Sequence, residues 1–421
     1  MSAKTKRVKS VDELVAATTD TDIRQIIVGS DVAGVPSIRL MPGQILRSDA
    51  ERHLTLTFHD HVDGLQLSSD NAVMALNLLV SPDKRAIWND YAVRDLGRIS
   101  LQSLQTVGRV QIVARESLRR GHVEVDCLDI VSADARGEQE RPHAYGVHVL
   151  QGAFTLWNMQ PDAGVVVTAA LVNLSVGRFG SPVLGSGIFV SGAGDTGGRL
   201  HVQRLETKTV YIDGGIAPGT PDQIAGGVFT VYGTYVDTVT HHGPVVTYGA
   251  NDMALDNWGV VDRWVAKAKV TTLGASGIGF VNFGTLRDLR VEAPIETFGQ
   301  GARGFNVYRG TVDRAEFDRI VTHADGAVGV QISQPIGTMV VRRGIETFGG
   351  TGPSLVKGVV QTLAAIALSM THGGSAQRIT IEGGLSTHGK DIVPLEHQGT
   401  IQRLRVKGGF GHVAEAALPS C

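Results

Sequence analysis

The chain has 421 residues, a formal net charge of −2, 53 glycines and an aromatic content of only 5%. A charge balance this close to zero excludes the strongly basic surface by which proteins bind nucleic acids or anionic lipids. No uninterrupted apolar run approaches the roughly 18–20 residues that a membrane-spanning helix requires, so an integral membrane protein of that kind is excluded as well.

The chain begins with a basic segment that no apolar segment follows, so this segment is not a secretory signal. Only two cysteines occur, Cys127 and Cys421, which argues against a disulfide framework and against a zinc site. We therefore expect a cytoplasmic protein, with the mature form of a secreted protein as the alternative.

A short helix is predicted at residues 10–18, where Ser10 and Glu13 form a capping box ahead of Leu14. Such a helix would close one end of a stacked core and shield the strand edge there. Short alternating runs then predict strands at residues 24–28, 37–40, 54–58, 64–67 and 73–80.

Three stretches that are polar or rich in glycine and proline interrupt the strand pattern and are predicted to project as loops. They span residues 132–142, 157–164 and 213–226. None has the composition of a disordered linker, so we predict that residues 1–421 form a single domain.

A 25-residue repeat dominates the second half of the chain. Short apolar runs carry a threonine at the same place each time: Thr247, Thr272, Thr297, Thr322 and Thr347. A fixed period of this length is typical of a solenoid, in which each repeat stacks only on its neighbours. Glycine-bounded runs keep the same spacing, which predicts three short strands in each repeat.

Three strands in a coil of this length resemble the right-handed parallel β-helix of the pectate-lyase-like superfamily. Residues 40–46 (LMPGQIL) and 63–71 (DGLQLSSDN) also resemble the first coils of these proteins. The resemblance implies an all-β fold, often trimeric, and a carbohydrate-active enzyme such as a polygalacturonase-type hydrolase or an inulin fructotransferase. Because lysine is scarce in the regular coils, a hydrolase or an intramolecular transferase is favoured over a lyase or an epimerase.

Stacking the repeats assigns side chains to faces, because successive residues of a strand point to opposite sides. Glu296 and Glu346 then share an outward column, two coils or roughly 9.6 Å apart. Carboxylates at about that separation suit the acid and base of an inverting glycosidase. Phe298, His323 and Phe348 follow in the next outward column, where we expect ring faces that stack against a sugar.

A second outward column contains Asp256, in a segment dense in carboxylates and aromatic residues. Asp252 lies in the preceding turn, and one carboxyl of such a pair would have a raised pKa. We predict catalytic roles for Asp252 and Asp256 beside the two glutamates. The predicted substrate-binding residues are the three rings of the first column together with Trp157, Trp258, Tyr248, His148, Asp213 and Asp222.

The same residues allow a second interpretation. Glu296 and Glu346 also suit solvated charges in a repeated IETFG phrase, and Asp252 suits a local turn cap. An outer face that includes Phe189 and Phe229 also suits the interface of a non-catalytic oligomeric module for binding or assembly. The two interpretations share their expected partners: an oligosaccharide or further copies of the chain, and neither nucleic acid nor a membrane.

Known motifs for metal ions and cofactors are missing from the sequence. It contains no HExxH pair, no phosphate-binding loop, no nucleophile elbow and no calcium-binding nonapeptide repeat. We predict neither a metal site nor a cofactor.

Overall fold

The computed structural model describes residues 4–49, 51–144 and 146–412. Residues 413–421, which include Cys421, lie outside the described residues. The described part is mostly β-strand, in long parallel sheets, and contains a single α-helix. The all-β parallel β-helix predicted from the repeat is therefore confirmed.

The chain divides into two compact units. Unit 1 comprises the described residues of Met1–Gln139, Gln151–Val210 and Thr230–Asp237. Unit 2 comprises those of Glu140–Leu150, Tyr211–Phe229 and Thr238–Cys421. That the whole chain forms one domain stays a prediction.

Helix α1 (Val11–Thr19) lies within one residue of its predicted position. The Ser10 hydroxyl accepts a hydrogen bond from the Glu13 amide at 3.3 Å and so caps the helix. Leu14 and Ala17 are buried, and the helix packs against the first strands of unit 1. The amphipathic pattern thus becomes a helix that covers apolar side chains at the start of the coils.

The strands are numbered in chain order. The first group is β1 (Lys4–Val8), β2 (Ile23–Val28), β3 (Val32–Val35), β4 (Ile38–Arg39), β5 (Ile45–Ser48), β6 (Leu54–Phe58), β7 (Leu65–Leu67), β8 (Ala72–Leu79), β9 (Arg85–Asn89), β10 (Asp95–Val107), β11 (Arg109–Ala114), β12 (Arg120–Ser132), β13 (His143–Ala144), β14 (Val147–Val149), β15 (Gly152–Asn158), β16 (Val166–Val176), β17 (Val183–Leu184), β18 (Ser186–Ser191), β19 (Arg199–Asp213), β20 (Gln223–Thr230) and β21 (Thr234–His241).

The second group is β22 (Val245–Thr247), β23 (Asp252–Asn257), β24 (Val260–Ala266), β25 (Val270–Thr272), β26 (Ile278–Asn282), β27 (Thr285–Val291), β28 (Ile295–Thr297), β29 (Arg303–Val307), β30 (Thr311–Phe317), β31 (Ile320–Thr322), β32 (Val328–Ile332), β33 (Pro335–Val341), β34 (Ile345–Thr347), β35 (Thr351–Val356), β36 (Val359–Ala364), β37 (Leu368–Met370), β38 (Ser375–Ile381), β39 (Leu385–Thr387), β40 (Leu395–His397), β41 (Thr400–Ile401), β42 (Leu404–Val406) and β43 (Phe410–His412).

Unit 1 contains two stacks of parallel strands. In one, β2 is followed by β5, β8, β10, β12 and β16. In the other, β4 is followed by β7, β9, β11, β15 and β18. Successive coils therefore place equivalent strands side by side, as in a solenoid.

Unit 2 winds in coils of three strands. Strands β22, β25, β28, β31, β34 and β39 form the first sheet, and β23, β26, β29, β32 and β37 form the second. Strands β24, β27, β30, β33 and β38 form the third. Thr247, Thr272, Thr297, Thr322 and Thr347 pair from strand to strand and are fully buried, so the interior threonine column predicted from the 25-residue period is confirmed.

One antiparallel hairpin interrupts these coils. Strands β35 and β36 are inserted between β34 of the first sheet and β37 of the second. Their turn is Lys357-Gly358, and both residues have positive φ, at 51° and 80°. Positive φ at both central residues is what a type I′ turn requires, and the glycine makes the second position inexpensive.

No helix among the described residues is both long and apolar enough to cross a membrane.

Candidate functional site

The most regular surface feature of unit 2 is a row of stacked rings, which we call the ring column: Phe298, His323, Phe348 and His388. Each ring follows the threonine at the end of a first-sheet strand, so the coils set the rings one above another. Neighbouring centroids lie 4.4, 5.3 and 4.2 Å apart, with ring planes within 11° of parallel. Phe298 and Phe348 are each about two-fifths exposed.

This arrangement corrects the expectation of ring faces open to a sugar at Phe298, His323 and Phe348. Rings stacked with near-parallel planes cover the faces that they turn toward each other, so neighbouring rings occupy the faces inside the column. The face of an aromatic ring carries partial negative charge and its edge partial positive charge. A stacked sugar would contact the face rather than the edge. The rings are outward, as predicted, but they present the wrong surface for sugar stacking.

Two carboxylates lie beside the ring column, and each is held by two partners. His323 Nε2 lies 2.8 Å from Glu296 Oε1, and Lys269 forms an ion pair with the other oxygen, Oε2. His388 Nε2 lies 2.9 Å from Glu346 Oε1, and Arg319 is ion-paired with its Oε2. Both oxygens of each carboxylate are therefore engaged.

The electrostatics of both glutamates favour the ionised form. Partial burial raises the pKa of Glu296, but hydrogen bonds and charges of Lys269 and His323 outweigh it, leaving the pKa below its ordinary value. Burial likewise raises the pKa of Glu346, and His388 and Arg319 lower it further than burial raises it. A general acid at neutral pH needs the opposite shift, so neither glutamate is poised to donate a proton.

Sequence reasoning missed Lys269, Arg319 and His388. A usable signal existed, because each glutamate follows its cation by the same interval, and Glu296 and Glu346 lie in identical IETFG phrases. His323 follows Glu296 by 27 residues, but His388 follows Glu346 by 42. The inserted hairpin β35–β36 accounts for this longer interval and hides the repeat.

The outward side of β23, β26, β29 and β32 behaves differently, and we call it the covered face. The sequence places Asp256, Val281 and Gln331 in an outward column, and parity does turn them away from the threonine interior. Asp256 and Val281 are nevertheless fully buried and Gln331 is 9% exposed. The prediction that this column meets solvent is therefore wrong.

Two inserted segments provide the cover. Ser354 on β35 donates to Gly301 O at 2.7 Å, and the amide of Leu355 donates to Ser276 Oγ at 3.1 Å. From the other side, Asn251 Nδ2 donates to Thr220 O at 2.8 Å and so ties down the segment between β19 and β20. These insertions turn an outward surface into a second, smaller core.

A buried arginine anchors the hairpin. The Arg303 guanidinium is fully buried and donates to Ser354 Oγ at 2.9 Å, to Gln331 Oε1 at 3.2 Å and to Leu355 O at 3.4 Å. No acidic residue pairs with Arg303 in the described part of the chain. Neutral acceptors therefore hold this cation in place.

The covered face contains a cavity of about 50 Å³. Its apolar wall centres on Ile278, Val281 and Tyr308, and Asp256 and Trp258 also line it. Burial raises the pKa of Asp256 well above its ordinary value, and the neighbouring Trp258 indole lowers it only in part. Burial thus favours the neutral form of the Asp256 carboxyl group, which lies in an apolar wall.

Asp252 is a buried turn cap. Its Oδ2 accepts hydrogen bonds from the amides of Gly249 at 2.8 Å and Gly214 at 3.1 Å, while its Oδ1 has no hydrogen-bond partner among the described residues. Burial raises the pKa of Asp252 to about 8, against the two amides that lower it and with the help of the nearby Asp213. These contacts match the alternative interpretation of Asp252 as a cap of the local turn.

Two tryptophans predicted to bind substrate are packed inside the protein. Trp157 lies in β15 of unit 1 rather than in a loop, and its indole donates to Gly192 O at 3.1 Å. Its ring meets Phe189, also buried, at 5.5 Å. In unit 2 Trp258 packs between Phe229 and Phe283, at 5.0 and 5.3 Å. These rings stabilise cores and offer no open surface.

The other predicted binding residues belong to local contacts of unit 2. The amide of His148 donates to Asp222 O at 2.7 Å, where β14 pairs with β20. Asp213 accepts from the Gly215 amide at 2.8 Å, and the Tyr248 amide donates to Ile212 O at 2.9 Å. Asp213 is connected to the predicted acids through its charge effect on Asp252.

Among the residues described, no group of three or more histidine, cysteine, aspartate or glutamate side chains is arranged to hold a metal ion.

No family model matches the chain, and no curated protein or solved structure is significantly similar to it.

Proposed function

We propose that this protein is a non-catalytic assembly module that forms a homo-oligomer through the ring column of unit 2. The observation that carries the proposal is the row of partly exposed rings beside two glutamates. Each of these glutamates is paired with a cation and with a histidine. Such a surface offers apolar area and shape without a reactive acid.

Exposed apolar side chains are ordinary when they occur singly, but here they fall in one line. Leu273, Phe298 and Phe348 are each about two-fifths exposed and lie at equivalent positions of their coils. Contiguous apolar surface with aromatic residues at its centre is typical of protein interfaces. Cover by another chain would remove this line of rings from water.

The charges beside the rings favour a further copy of the same chain. Lys269 and Arg319 balance Glu296 and Glu346, so the two ion pairs along the strip that holds the ring column carry no net charge. A strongly charged partner would gain nothing from it, whereas an identical strip meets no net repulsion. Three copies around an axis parallel to the column would bring like rings to the same height, which agrees with the trimer expected from the sequence.

The test is the mass of the purified full chain by analytical ultracentrifugation over a concentration series. We expect an oligomer, and we expect the double substitution Phe298→Ser and Phe348→Ser to weaken its association at least ~10-fold, since central aromatic residues dominate interfaces. Phe179→Ser is the matched control, because Phe179 is 82% exposed but lies in unit 1. A monomeric wild type, or equal loss in the control, would contradict the proposal.

A second candidate function is cleavage or transfer of a glycosidic bond, and Asp256 is the observation that favours it. A carboxyl group whose pKa is raised by burial beside aromatic residues has the shift that a general acid needs. The cavity of about 50 Å³ is far smaller than the ~300 Å³ of a usual ligand pocket, so substrate entry would require the hairpin to move.

A screen of oligosaccharides for hydrolysis or transfer separates the two functions. Turnover by the wild type that disappears in Asp256→Asn, with unchanged oligomer mass, would favour the enzyme. Glu296→Gln and Glu346→Gln serve as comparison, since their lowered pKa values predict no role as proton donor. Absence of turnover together with loss of assembly in the ring-column variant would favour the module.

A further inference from the structure

The hairpin β35–β36 has one edge that the protein leaves uncovered. The two strands form a sheet of their own, and β36 pairs only with β35 among the described residues. Val359 and Val360 are 59% and 60% exposed, and Gln361 and Thr362 are exposed as well. Four consecutive exposed residues mean that both faces of this strand meet solvent.

The backbone groups on the free edge follow from the turn. In a hairpin with a two-residue turn, the pair that flanks the turn is hydrogen-bonded and the pairs then alternate. Val356 and Val359 flank the turn, so Val360 and Thr362 belong to pairs whose N–H and C=O groups point away from β35. The free edge therefore presents the backbone groups of these two residues.

The two edges of the hairpin differ in a way that bears on partners. On β35, Pro353 lacks an outward N–H and the Leu355 amide is already bonded to Ser276. The sequence of β36, VVQTLA, has no charge, no proline and no glycine. Natural proteins usually protect free edges with charge, proline or a covering element, and β36 has none of these.

We propose that β36 is a strand-addition site whose occupant is β36 of a second copy of this chain, paired antiparallel about a two-fold axis. With Gln361 on the axis, Val360 of each copy lies opposite Thr362 of the other. This register uses the outward groups of both residues and forms about four backbone hydrogen bonds. It also sets β-branched side chains opposite each other, a favourable cross-strand pair.

An identical strand fits this edge for reasons of charge and symmetry. The edge is uncharged, so a copy of itself is not repelled, and an isologous contact needs only one surface patch. The charged residue nearest to β36 in sequence, Lys357, lies in the turn, and the antiparallel register places the two copies of this lysine at opposite ends of the pairing. The contact is separate from the ring column and does not depend on the proposed function.

The decisive substitution is Thr362→Pro, compared with Thr362→Ala. Proline removes the outward N–H of residue 362 in both copies and leaves the bonds within the hairpin intact. Pro353, directly opposite Thr362, shows that such a position of this hairpin accepts proline. Alanine keeps the N–H. We expect Thr362→Pro to weaken the two-fold association at least ~10-fold and Thr362→Ala to leave it within ~3-fold.

Ultracentrifugation of four proteins distinguishes this contact from the ring column: wild type, Thr362→Pro, the Phe298→Ser and Phe348→Ser double variant, and the combination of both. We expect the double variant to stop at a dimer, Thr362→Pro to stop at the ring-column oligomer, and the combination to be monomeric. A double variant that is monomeric at all concentrations would overturn the β36 contact and leave the ring column standing. A wild type that is only a dimer, abolished by Thr362→Pro, would do the reverse.

Amide hydrogen exchange supplies a readout that does not depend on the proline variant folding. In the wild type and in Thr362→Ala, the amides of Val360 and Thr362 should become protected as protein concentration rises, while the amide of Gln361, bonded within the hairpin, should not change. Protection that is independent of concentration, or absent at every concentration, would contradict strand addition.

Discussion

Unit 2 has two outward surfaces built from the same repeat, and they have opposite properties. On the ring column, Glu296 and Glu346 remain half-buried, ion-paired and of lowered pKa. On the covered face, Asp252 and Asp256 are fully buried and of raised pKa. The difference teaches that pointing outward from a coil does not mean meeting solvent, because inserted segments decide what lies above each surface.

The covered face should therefore govern stability and its dependence on pH, while the ring column should affect stability little and assembly strongly. Substitutions on each surface test this division.

The largest effect is expected at Asp252. Its folded pKa of about 8 lies above the ordinary 3.8, so the folded protein holds a proton that the unfolded chain releases. This contribution is complete below pH ~4 and is lost as pH rises toward 8. Between pH 5 and 8 the wild type should lose about 4 kcal/mol relative to Asp252→Asn, which cannot ionise.

Urea unfolding of both proteins at pH 5, 6, 7 and 8 measures this difference. Comparing variant with wild type cancels other titrating groups such as His241, whose lowered pKa of about 3 makes the protein less stable as pH falls below 6.5. A difference that does not change with pH would show that Asp252 is ionised in the folded protein.

A smaller effect is expected at Arg303. Arg303→Ala removes the hydrogen bonds to Ser354, Gln331 and Leu355 and leaves a void beneath the hairpin. We expect a loss of about 3 kcal/mol in the free energy of unfolding. Arg314→Ala is the control, because that side chain is half exposed on β30 and should change the free energy by less than ~0.5 kcal/mol.

Equal losses of unfolding free energy in the two arginine variants would mean that the hairpin contributes no more to stability than an ordinary surface does. The covered face would then not govern stability. Protease cleavage after Lys357 gives a second readout, since release of the hairpin should let the backbone around this exposed residue unfold locally in Arg303→Ala alone.

The smallest effect on stability is expected at the ring column. Glu346→Gln removes a partly exposed ion pair with Arg319, and such pairs contribute less than ~1 kcal/mol. Because the pKa of Glu346 is lowered, its contribution is present above pH ~4.5 and disappears as pH falls below that value. Thermal unfolding at pH 7 and pH 3, at low and high salt, should show a small difference only at pH 7 and low salt.

The sequence predicted the coil well because its evidence is periodic. A threonine every 25 residues, with branched apolar residues two positions earlier, is a pattern that only a stacked interior accounts for over five coils. Helix α1 was predictable for a similar reason, since Ser10 and Glu13 act on backbone groups a few residues away. Local and repeated sequence patterns can therefore be interpreted without knowledge of the tertiary structure.

The candidate site was predictable only in part. The outward direction of Phe298 and Phe348 followed from strand parity, but the stacking of their faces depends on rotamers and on neighbouring coils. The partnership of His388 with Glu346 was hidden by the inserted hairpin, and the burial of Asp256 depends on segments distant from it in sequence. Asp256 and the inserted segments that cover it are too far apart in the sequence for a local pattern to reveal their contact.

By itself, then, the sequence determined the winding of the chain and which side chains turn inward, because both follow from a strand alternation of two residues and a coil of fixed length. Only the tertiary structure decided which outward side chains meet water and which carboxyls are ionised. Solvent access and pKa depend on every group that approaches in space, and long-range packing rather than local periodicity sets those neighbours.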